Sequence, residues 1–559
     1  MIEDARKFPA AAVIQADICI VGGGAAGIAI AREFARSARR VVLLAGGDRR
    51  EREVDRDLYR GEVAEGTSHE PLDTGRRRMW GGTTTAWHGR CVPLDRIDLE
   101  HRSWVPDSGW PIDYEELQPY IERANRVCEA GDPFFDTREA FPGAQAEMIS
   151  GFDGPDMVTS RLERFSPPTN FARRYGPALK KATNVRVLLG AHAHSMDLSE
   201  HRARIVSLRA RTSLGTQVSV VADEYVLACG GLENARLLLA SRHQVPTGIG
   251  NQHDNVGRYY MSHLCGVLGW IEVRSPHAGF VYGLERDREG VYCRRRFWIT
   301  PKAQSEYKVG NAIAMLVRPE VSDASHGSAL LSVNHLARTG VRVFRNPRSR
   351  GQGEAGQASG STLGSHLSII ARGMPSVLPD AATNVQRRYP ARRKMPVILG
   401  PKSVNRFPVR YQTEHLPHRS SRVVLTGKLD ASGMPRLQTE IRFTDDDVRT
   451  VETFHRVLAA QLSATGTGTF HAYDDDLKGA IESQLANFSS WDHHIGATRM
   501  SISPADGVVD RDCRVHGVDN LYITGSSVFP TGSHANPTLA LVALALRLAD
   551  HLQDIPTRR

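Results

Sequence analysis

Residues 16–27 read Ala16-Asp17-Ile18-Cys19-Ile20-Val21-Gly22-Gly23-Gly24-Ala25-Ala26-Gly27. A short, nearly continuous apolar run ends in glycines, which is how a buried parallel strand looks in sequence. Ile28 to Arg36 then has the character of a helix, and Arg40 to Leu44 is a second apolar strand closed by Ala45-Gly46-Gly47. This is a strand–helix–strand unit. Its glycines fit Gly-x-Gly-x-x-Gly. Gly22 permits the tight turn, Gly24 lets the backbone approach a pyrophosphate, and Gly27 lets the helix pack close to the strand. Ala25 and Ala26 open the helix, whose free N–H groups and dipole favour a negative charge. The expected fold class is therefore α/β, with a Rossmann-like dinucleotide domain. One expectation is unmet: an acidic residue should end the second strand, about 20 residues on, to bind ribose hydroxyls. Leu44 occupies that place, and the nearest acid is Asp48.

The rest of the chain alternates in character. Tyr59 to Asp95 is rich in Gly, Thr and Arg and reads as an extended loop. Asp113 to Ala130 reads as a helix with Asp113 as N-cap and Glu115-Glu116 in the first turn. Val185 to Leu189 and Glu224 to Ala228 read as strands, and Gly231 to Ala240 as a helix. From His263 to Leu485 alternating segments, such as Leu330 to Val333 and Arg422 to Leu425, suggest antiparallel strands. Gly351 to Thr362 is a Gly/Ser/Gln-rich insertion. The last seventy residues return to α/β character and end in the apolar helix Thr538 to Leu552. The nucleotide domain is thus discontinuous: residues 1–100, 176–262 and 486–559 belong to it, 101–175 form a cap or substrate segment, and 263–485 form an inserted substrate domain built on an antiparallel sheet plus helices.

Composition narrows the function. With 559 residues, 41% hydrophobic and 24% charged, the chain is globular and long enough for several domains. Its net charge of +9 comes mostly from arginine. Arg76-Arg77-Arg78, Arg294-Arg295-Arg296 and Arg387 to Lys394 read as solvated loops with a few phosphate or carboxylate contacts. No continuous basic face or recognised module points to nucleic acid. The seven cysteines include no Cys-x-x-Cys, which suggests reduced thiols in a cytoplasmic protein. Cys229 reads as a buried strand-end thiol. The N-terminus lacks an apolar h-region and no run of about eighteen apolar residues occurs, so neither a secretory signal nor a membrane span is expected. Asp445-Asp446-Asp447 after Thr444 reads as a helix cap and Asp474-Asp475-Asp476 as a solvated turn. No acid or histidine set has metal-ligand spacing, and no metal is expected.

The chemistry concentrates near the C-terminus, in Trp491-Asp492-His493-His494-Ile495-Gly496-Ala497-Thr498-Arg499-Met500 and in Gly525-Ser526-Ser527-Val528-Phe529-Pro530-Thr531-Gly532-Ser533-His534-Ala535-Asn536-Pro537-Thr538. A histidine before an Ile-Gly turn and an Asn-Pro-Thr opening a helix pair a titratable base with an amide able to orient a hydroxyl. Together with Ala16 to Gly47, Trp80 to Arg90 with Ser108-Gly109-Trp110-Pro111, and Tyr225 to Leu239, these blocks resemble the glucose–methanol–choline (GMC) oxidoreductases. The Asn-Pro-Thr ending looks most like the pyranose oxidases and related sugar and glycoside oxidoreductases.

The resemblance implies FAD, with cofactor contacts from Gly22, Gly24, Ala25, Ala26, Gly27, Gly81, Gly82, Thr83, Trp87, His88, Ala193, Gly525, Asn536, Pro537 and Thr538. The position of the covalent histidine of pyranose oxidases is Ala86 here, which implies non-covalent FAD. His88 falls close to a flavin N5/O4 contact of the family, or is a loop histidine with a structural hydrogen bond. The His-x-x-Gly spacing to Gly496 assigns His493 as base and Asn536 as its orienting partner, with flavin N5 as hydride acceptor. His494 and His534 are wall or polarising residues, or structural ones. The expected reaction is oxidation of a hydroxyl of a sugar, glycoside or sugar-containing metabolite to a carbonyl, with oxygen, a quinone or a redox protein as electron acceptor. The alternatives are a non-sugar alcohol such as a sterol, a non-redox flavin-containing lyase, or a binding protein.

Overall fold

The computed structural model describes residues 1–275, 278–319, 321–345, 363–388, 393, 395–396, 405–487 and 493–556. It has two large sheets. The first is the dinucleotide sheet, in the order Ile2–Asp4, Val185–Leu189, Val41–Ala45, Ala12–Val21, Gln217–Leu227, Ile205–Arg211, His192–Leu198, with Leu521–Ile523 also paired to Gln217–Leu227. The five pairings that link Ile2–Asp4 through to Leu521–Ile523 are parallel, and the pairs joining 192–198, 205–211 and 217–227 are antiparallel. Strands from the start, middle and end of the chain thus share one sheet.

The apolar run of the fingerprint lies in Ala12–Val21, buried from Ala16 onward, and the helix begins at Ala25 and ends at Phe34. That helix packs on the C-terminal helix Thr538–Asp554, which in turn packs on Tyr114–Val127. Asp113 caps Tyr114–Val127 by accepting from Glu116 N–H at 2.8 Å. These helices and the sheet share one apolar core, in which Ile18, Ile28, Leu43, Val226, Leu544 and Leu548 are fully buried or nearly so.

The second sheet is antiparallel throughout: Gly468–Ala472, His263–Val273, Arg406–Glu414, Ala312–Leu316, Tyr292–Ile299, Met157–Phe165, Arg90–Cys91. Its core includes Phe297, Tyr411, Phe454 and Leu458, the last two from the helix Asp445–Thr465. Thr444 and Asp447 form a reciprocal capping box on that helix, and Asp476 caps Leu477–Ala486 through Gly479 N–H.

Leu330 to Val333 is not a strand. It lies in the helix Ala329–Arg345, which packs on Leu363–Arg388. Leu331 is buried while Val333 is exposed, so the two do not share the face that a strand would give them. The insertion read over Gly351 to Thr362 lies outside the described residues.

Two of the arginine clusters are largely withdrawn from solvent, Arg77 excepted. Arg294 and Arg90 both pair with Glu163, Arg295 pairs with Glu285, and Arg76 pairs with Glu233. Arg296 is 1% exposed. They hold loops and strands together from inside, which composition alone does not distinguish from surface charge. No helix of the described residues is long and apolar enough to cross a membrane.

Candidate active site

A cleft runs along the carboxyl end of the dinucleotide sheet. It is lined by Gly22, Gly24, Ala25, Ala26, Gly82, Thr83, Trp87, Ala193, Gly525 and Thr538, all anticipated from sequence, and also by Leu44, Tyr59, Arg78, Cys229 and Glu233. Gly22 has φ +123°, and a Cβ there would lie 2.2 Å from the carbonyl oxygen of Ala228. A Cβ on Gly27 would lie 1.9 Å from the carbonyl oxygen of Gly22, so only glycine lets the helix start this close to the strand. Gly81 and Pro537 flank the lining rather than join it: Gly81 precedes the turn Gly82–Thr85, and Pro537 is the N-cap of the last helix.

Three helix N-termini open on this cleft. The helices starting at Ala25, Gly231 and Thr538 have Gly24, Gly230 and Pro537 at their N-caps, and none receives a side-chain cap. By contrast, Asp113, Asn170, Thr300 and Asp476 cap helices elsewhere. Uncapped N–H groups with aligned dipoles suit an anionic diphosphate. Thr524 Oγ1, on the cleft lining, is buried without a hydrogen-bond partner among the described residues. The residues present therefore fit a dinucleotide such as FAD.

Cys229 behaves as a structural thiol. Its S–H donates to the Val21 carbonyl at 3.2 Å, and burial pushes it up to about 12. His88 is exposed and stands outside the cleft lining. Asp48 stands outside the cleft lining and pairs with Arg6 at 2.7 Å. The strand itself ends one residue beyond Leu44, at Ala45.

His493 and Asn536 meet. Asn536 Nδ2 lies 2.9 Å from His493 Nε2. On its other side, His493 Nδ1 lies 2.7 Å from Nδ1 of His263, the first residue of the strand His263–Val273. An amide N–H can only donate, so Nε2 accepts from it, and Nδ1 then carries the proton and donates to His263. Burial lowers the pKa of His493 well below the usual imidazole value, and His263, Arg90 and His494 add to the effect. His263 is 3% exposed and is itself driven down to about 3 by burial and by His534. Both rings are therefore neutral near pH 7, and the one lone pair on His493 Nε2 is held by the Asn536 amide.

Polar side chains of the second sheet support this pair. Gln412 Nε2 donates to the His534 carbonyl at 2.6 Å and reaches Asn536 Oδ1 at 3.4 Å, while Arg90 Nη1 donates to Gln412 Oε1 at 2.8 Å. Burial opposes the charge of Glu163, but Arg294, Arg90 and Arg296 outweigh it and hold the carboxyl at about 2.

The other two candidate histidines go elsewhere. His494 Nδ1 bonds to Tyr260 Oη at 2.6 Å, and Tyr260 Oη to His69 Nε2 at 2.8 Å. His534 Nε2 donates to Asp95 Oδ2 at 2.9 Å, and burial with Arg296 pushes the imidazole down to about 4. Sequence reasoning missed His263, Gln412 and Arg90. They come from segments with no spacing relation to His493, and nothing in the residues beside His263 marks it out. Among the described residues no group of three or more His, Cys, Asp or Glu is arranged to hold a metal.

Known proteins resemble the chain over most of its length. The chain is 22% identical to the fructose dehydrogenase large subunit of Gluconobacter japonicus, over 96% of this chain and 97% of that one. It is 24% identical to paromamine 6'-oxidase of Streptomyces fradiae, over 95% and 90%. Its fold is shared with pyridoxine 4-oxidase from Mesorbium loti, at a TM-score of 0.55 and 16% identity over 97% of this chain and 99% of that one. Residues 170–265 match the N-terminal and residues 417–545 the C-terminal GMC oxidoreductase domain, and the chain belongs to the GMC oxidoreductases, enzymes that oxidise alcohols.

Proposed function

We propose that this protein oxidises a hydroxyl of a sugar, glycoside or sugar-containing metabolite to a carbonyl, with non-covalent FAD, His493 as base and Asn536 as orienting amide. The observation that carries the reading is the directional chain from Asn536 through His493 to His263, which leaves a neutral imidazole with its Nε2 lone pair beside an amide. FAD, when bound, supplies the hydride acceptor. The chain's own part is to place the alcohol and take its proton. An alcohol is roughly as weak an acid as water, whose pKa is about 15.7, so hydride departure is helped by proton removal from the oxygen. His493 Nε2 accepts that proton as the alcohol oxygen takes over the Asn536 N–H that Nε2 otherwise holds. Asn536, which does not titrate, can donate to the same oxygen and fix its position. The imidazolium formed keeps its Nδ1–H on His263. The resemblance puts Ala86 at the position of the tethering histidine, and an alanine side chain offers no nucleophile.

A sugar suits this site better than a sterol. The base is surrounded by buried polar groups, with Arg90, Gln412, His263 and His534 around it, and Arg296 carries a buried Nε and Nη1 with no partner among the described residues. A ligand with many hydroxyls can satisfy such groups, whereas an apolar one leaves them desolvated. Two relatives point the same way by name, one a fructose dehydrogenase subunit and one a paromamine oxidase.

The test is the visible spectrum of the FAD-loaded protein, followed without oxygen as free sugars and glycosides are added singly. Bleaching of the flavin band by one compound supports the reading. A flavin band bleached by a sterol or another non-sugar alcohol, and by no sugar, would overturn the substrate class. Admitting oxygen after bleaching then separates an oxidase from a dehydrogenase.

A further inference from the structure

The adenosine end of the cleft departs from the usual dinucleotide site. Where a carboxylate at the end of the second strand would accept from the ribose hydroxyls, the strand ends in Ala45, and a guanidinium stands over the following turn. A Cβ on Gly46 would lie 3.3 Å from Arg78 Nη2, and 3.4 Å from both Arg78 Nε and His192 Nδ1. Arg78 is fixed from two sides. Its Nε donates to His192 Nδ1 at 3.3 Å, and its Nη1 reaches Glu233 Oε2 at 3.4 Å. Burial, followed by Arg78 itself, keeps His192 well below its usual pKa, so the ring is neutral and Nδ1 can accept.

Arg78 Nη2 makes no hydrogen bond among the described residues, although the side chain is only 12% exposed and lines the cleft. Facing the cleft, this donor is free to meet an acceptor on a ligand. Glu233 lines the same cleft. Burial opposes its charge, but Arg236, Arg76 and Arg78 hold it at about 2, so it is an ionised acceptor.

We propose that Arg78 and Glu233 together hold the adenosine ribose of FAD in place of the missing strand-end carboxylate, Arg78 Nη2 donating to a ribose oxygen and Glu233 accepting from a ribose hydroxyl. The proposal rests on the FAD reading of the cleft. It assigns the ribose to residues of the loop before Trp80 and of the helix Gly231–Ala240, rather than to the second strand.

The test uses the apoprotein, with binding of FAD followed by flavin fluorescence and displaced by ADP, 2′-deoxy-ADP or 3′-deoxy-ADP. A hydrogen bond to a charged group predicts that at least one deoxy analogue displaces FAD about tenfold less well than ADP. In Arg78→Met or Glu233→Gln that difference shrinks to about twofold or less by the same reasoning. The wild-type comparison stands by itself should either variant fail to fold. The proposal is overturned if both deoxy analogues compete as well as ADP, if the full difference survives in both variants, or if ADP does not displace bound FAD. An apoprotein that binds no FAD at all takes down the flavoenzyme reading and this one with it, which separates the two failures.

Discussion

Replacing His263 with phenylalanine tests whether the base is held in one tautomer. Phenylalanine keeps a ring of similar size but removes the Nδ1 lone pair that lies 2.7 Å from His493 Nδ1. In the variant the Nδ1–H of His493 is buried with nothing to accept it, which costs about 1–3 kcal/mol. The other tautomer escapes this cost, because Nε2–H can donate to Asn536 once that amide turns its oxygen inward. The equilibrium between tautomers therefore shifts by the same amount, and each 1.4 kcal/mol is about a factor of ten. The ratio of the tautomer with a lone pair on Nε2 to the other falls by roughly 5- to 150-fold on that scale, and the rate of flavin reduction falls with the active tautomer's share, by up to that factor. The assay is anaerobic stopped-flow reduction at saturating alcohol, with FAD affinity measured separately and expected to be unchanged. His263→Gln restores an acceptor and should recover part of the loss. A phenylalanine variant that reduces flavin at the wild-type rate, or a glutamine variant no better than phenylalanine, would refute the tautomer argument.

Other outcomes follow from the same structure. His493→Ala should lower flavin reduction by about 10²- to 10⁴-fold, the usual size of general-base catalysis, while FAD stays bound; undiminished reduction would defeat the assignment. Because burial, with the neighbouring His263 and the Arg90 cation, keeps His493 unprotonated, the reduction rate should stay level from pH 8 to pH 6, and a limb near pH 6.5 would contradict it. The same lowering sets the acid stability. The unfolded chain takes up protons on His263 and His534 below about pH 6.5, whereas the folded chain does so only near about 3 and about 4, so their contribution to stability falls with pH across that window. Thermal melting at pH 7 and pH 5 measures it. Gly27→Ala places a methyl 1.9 Å from the Gly22 carbonyl oxygen and should abolish FAD retention in gel filtration. Glu414→Ala leaves Arg102 buried without its carboxylate, two 2.7 Å bonds lost, and should cost about 3–5 kcal/mol in chemical denaturation.

What could be read in advance was what repeats at short range. The fingerprint, the second strand, the helix Gly231–Ala240 and the Asp113 cap each lie within a few residues of their own signal, and each is where local rules put it. His493 and Asn536 were visible as a pair only because both segments carry family spacing. Leu330 to Val333 misled because four residues cannot separate a period of 2 from one of 3.6 when the neighbours extend the helical pattern. The arginine triplets misled for another reason. Arg294 is 7% exposed, because Glu163 comes from the adjoining strand to pair with it, and strand pairing across more than a hundred residues has no local trace. Arg78 is of the same kind: its importance depends on Gly46, His192 and Glu233, which the fold alone assembles.

The site is also the seam between the two sheets, and this bears on how such a chain can change substrate without losing its chemistry. His493 and Asn536 come from the C-terminal part of the chain, which also contributes a strand to the dinucleotide sheet, but their partners His263 and Gln412 lie on adjacent antiparallel strands of the other sheet. In that pair His263 stands opposite Glu414 and Cys265 opposite Gln412, so a slip of one residue would turn Gln412 to the other face and remove it from Asn536. The register is regular from His263 to Val267 and is broken between Val267 and Trp270. A bulge there absorbs a change in length or twist. The far ends of the strands, which carry Trp270 and Phe407, can therefore be reshaped with the rest of the sheet while the five residues nearest the base keep their alignment. Variation in the middle of the chain is thus compatible with a fixed tautomer at His493, provided it falls beyond the bulge.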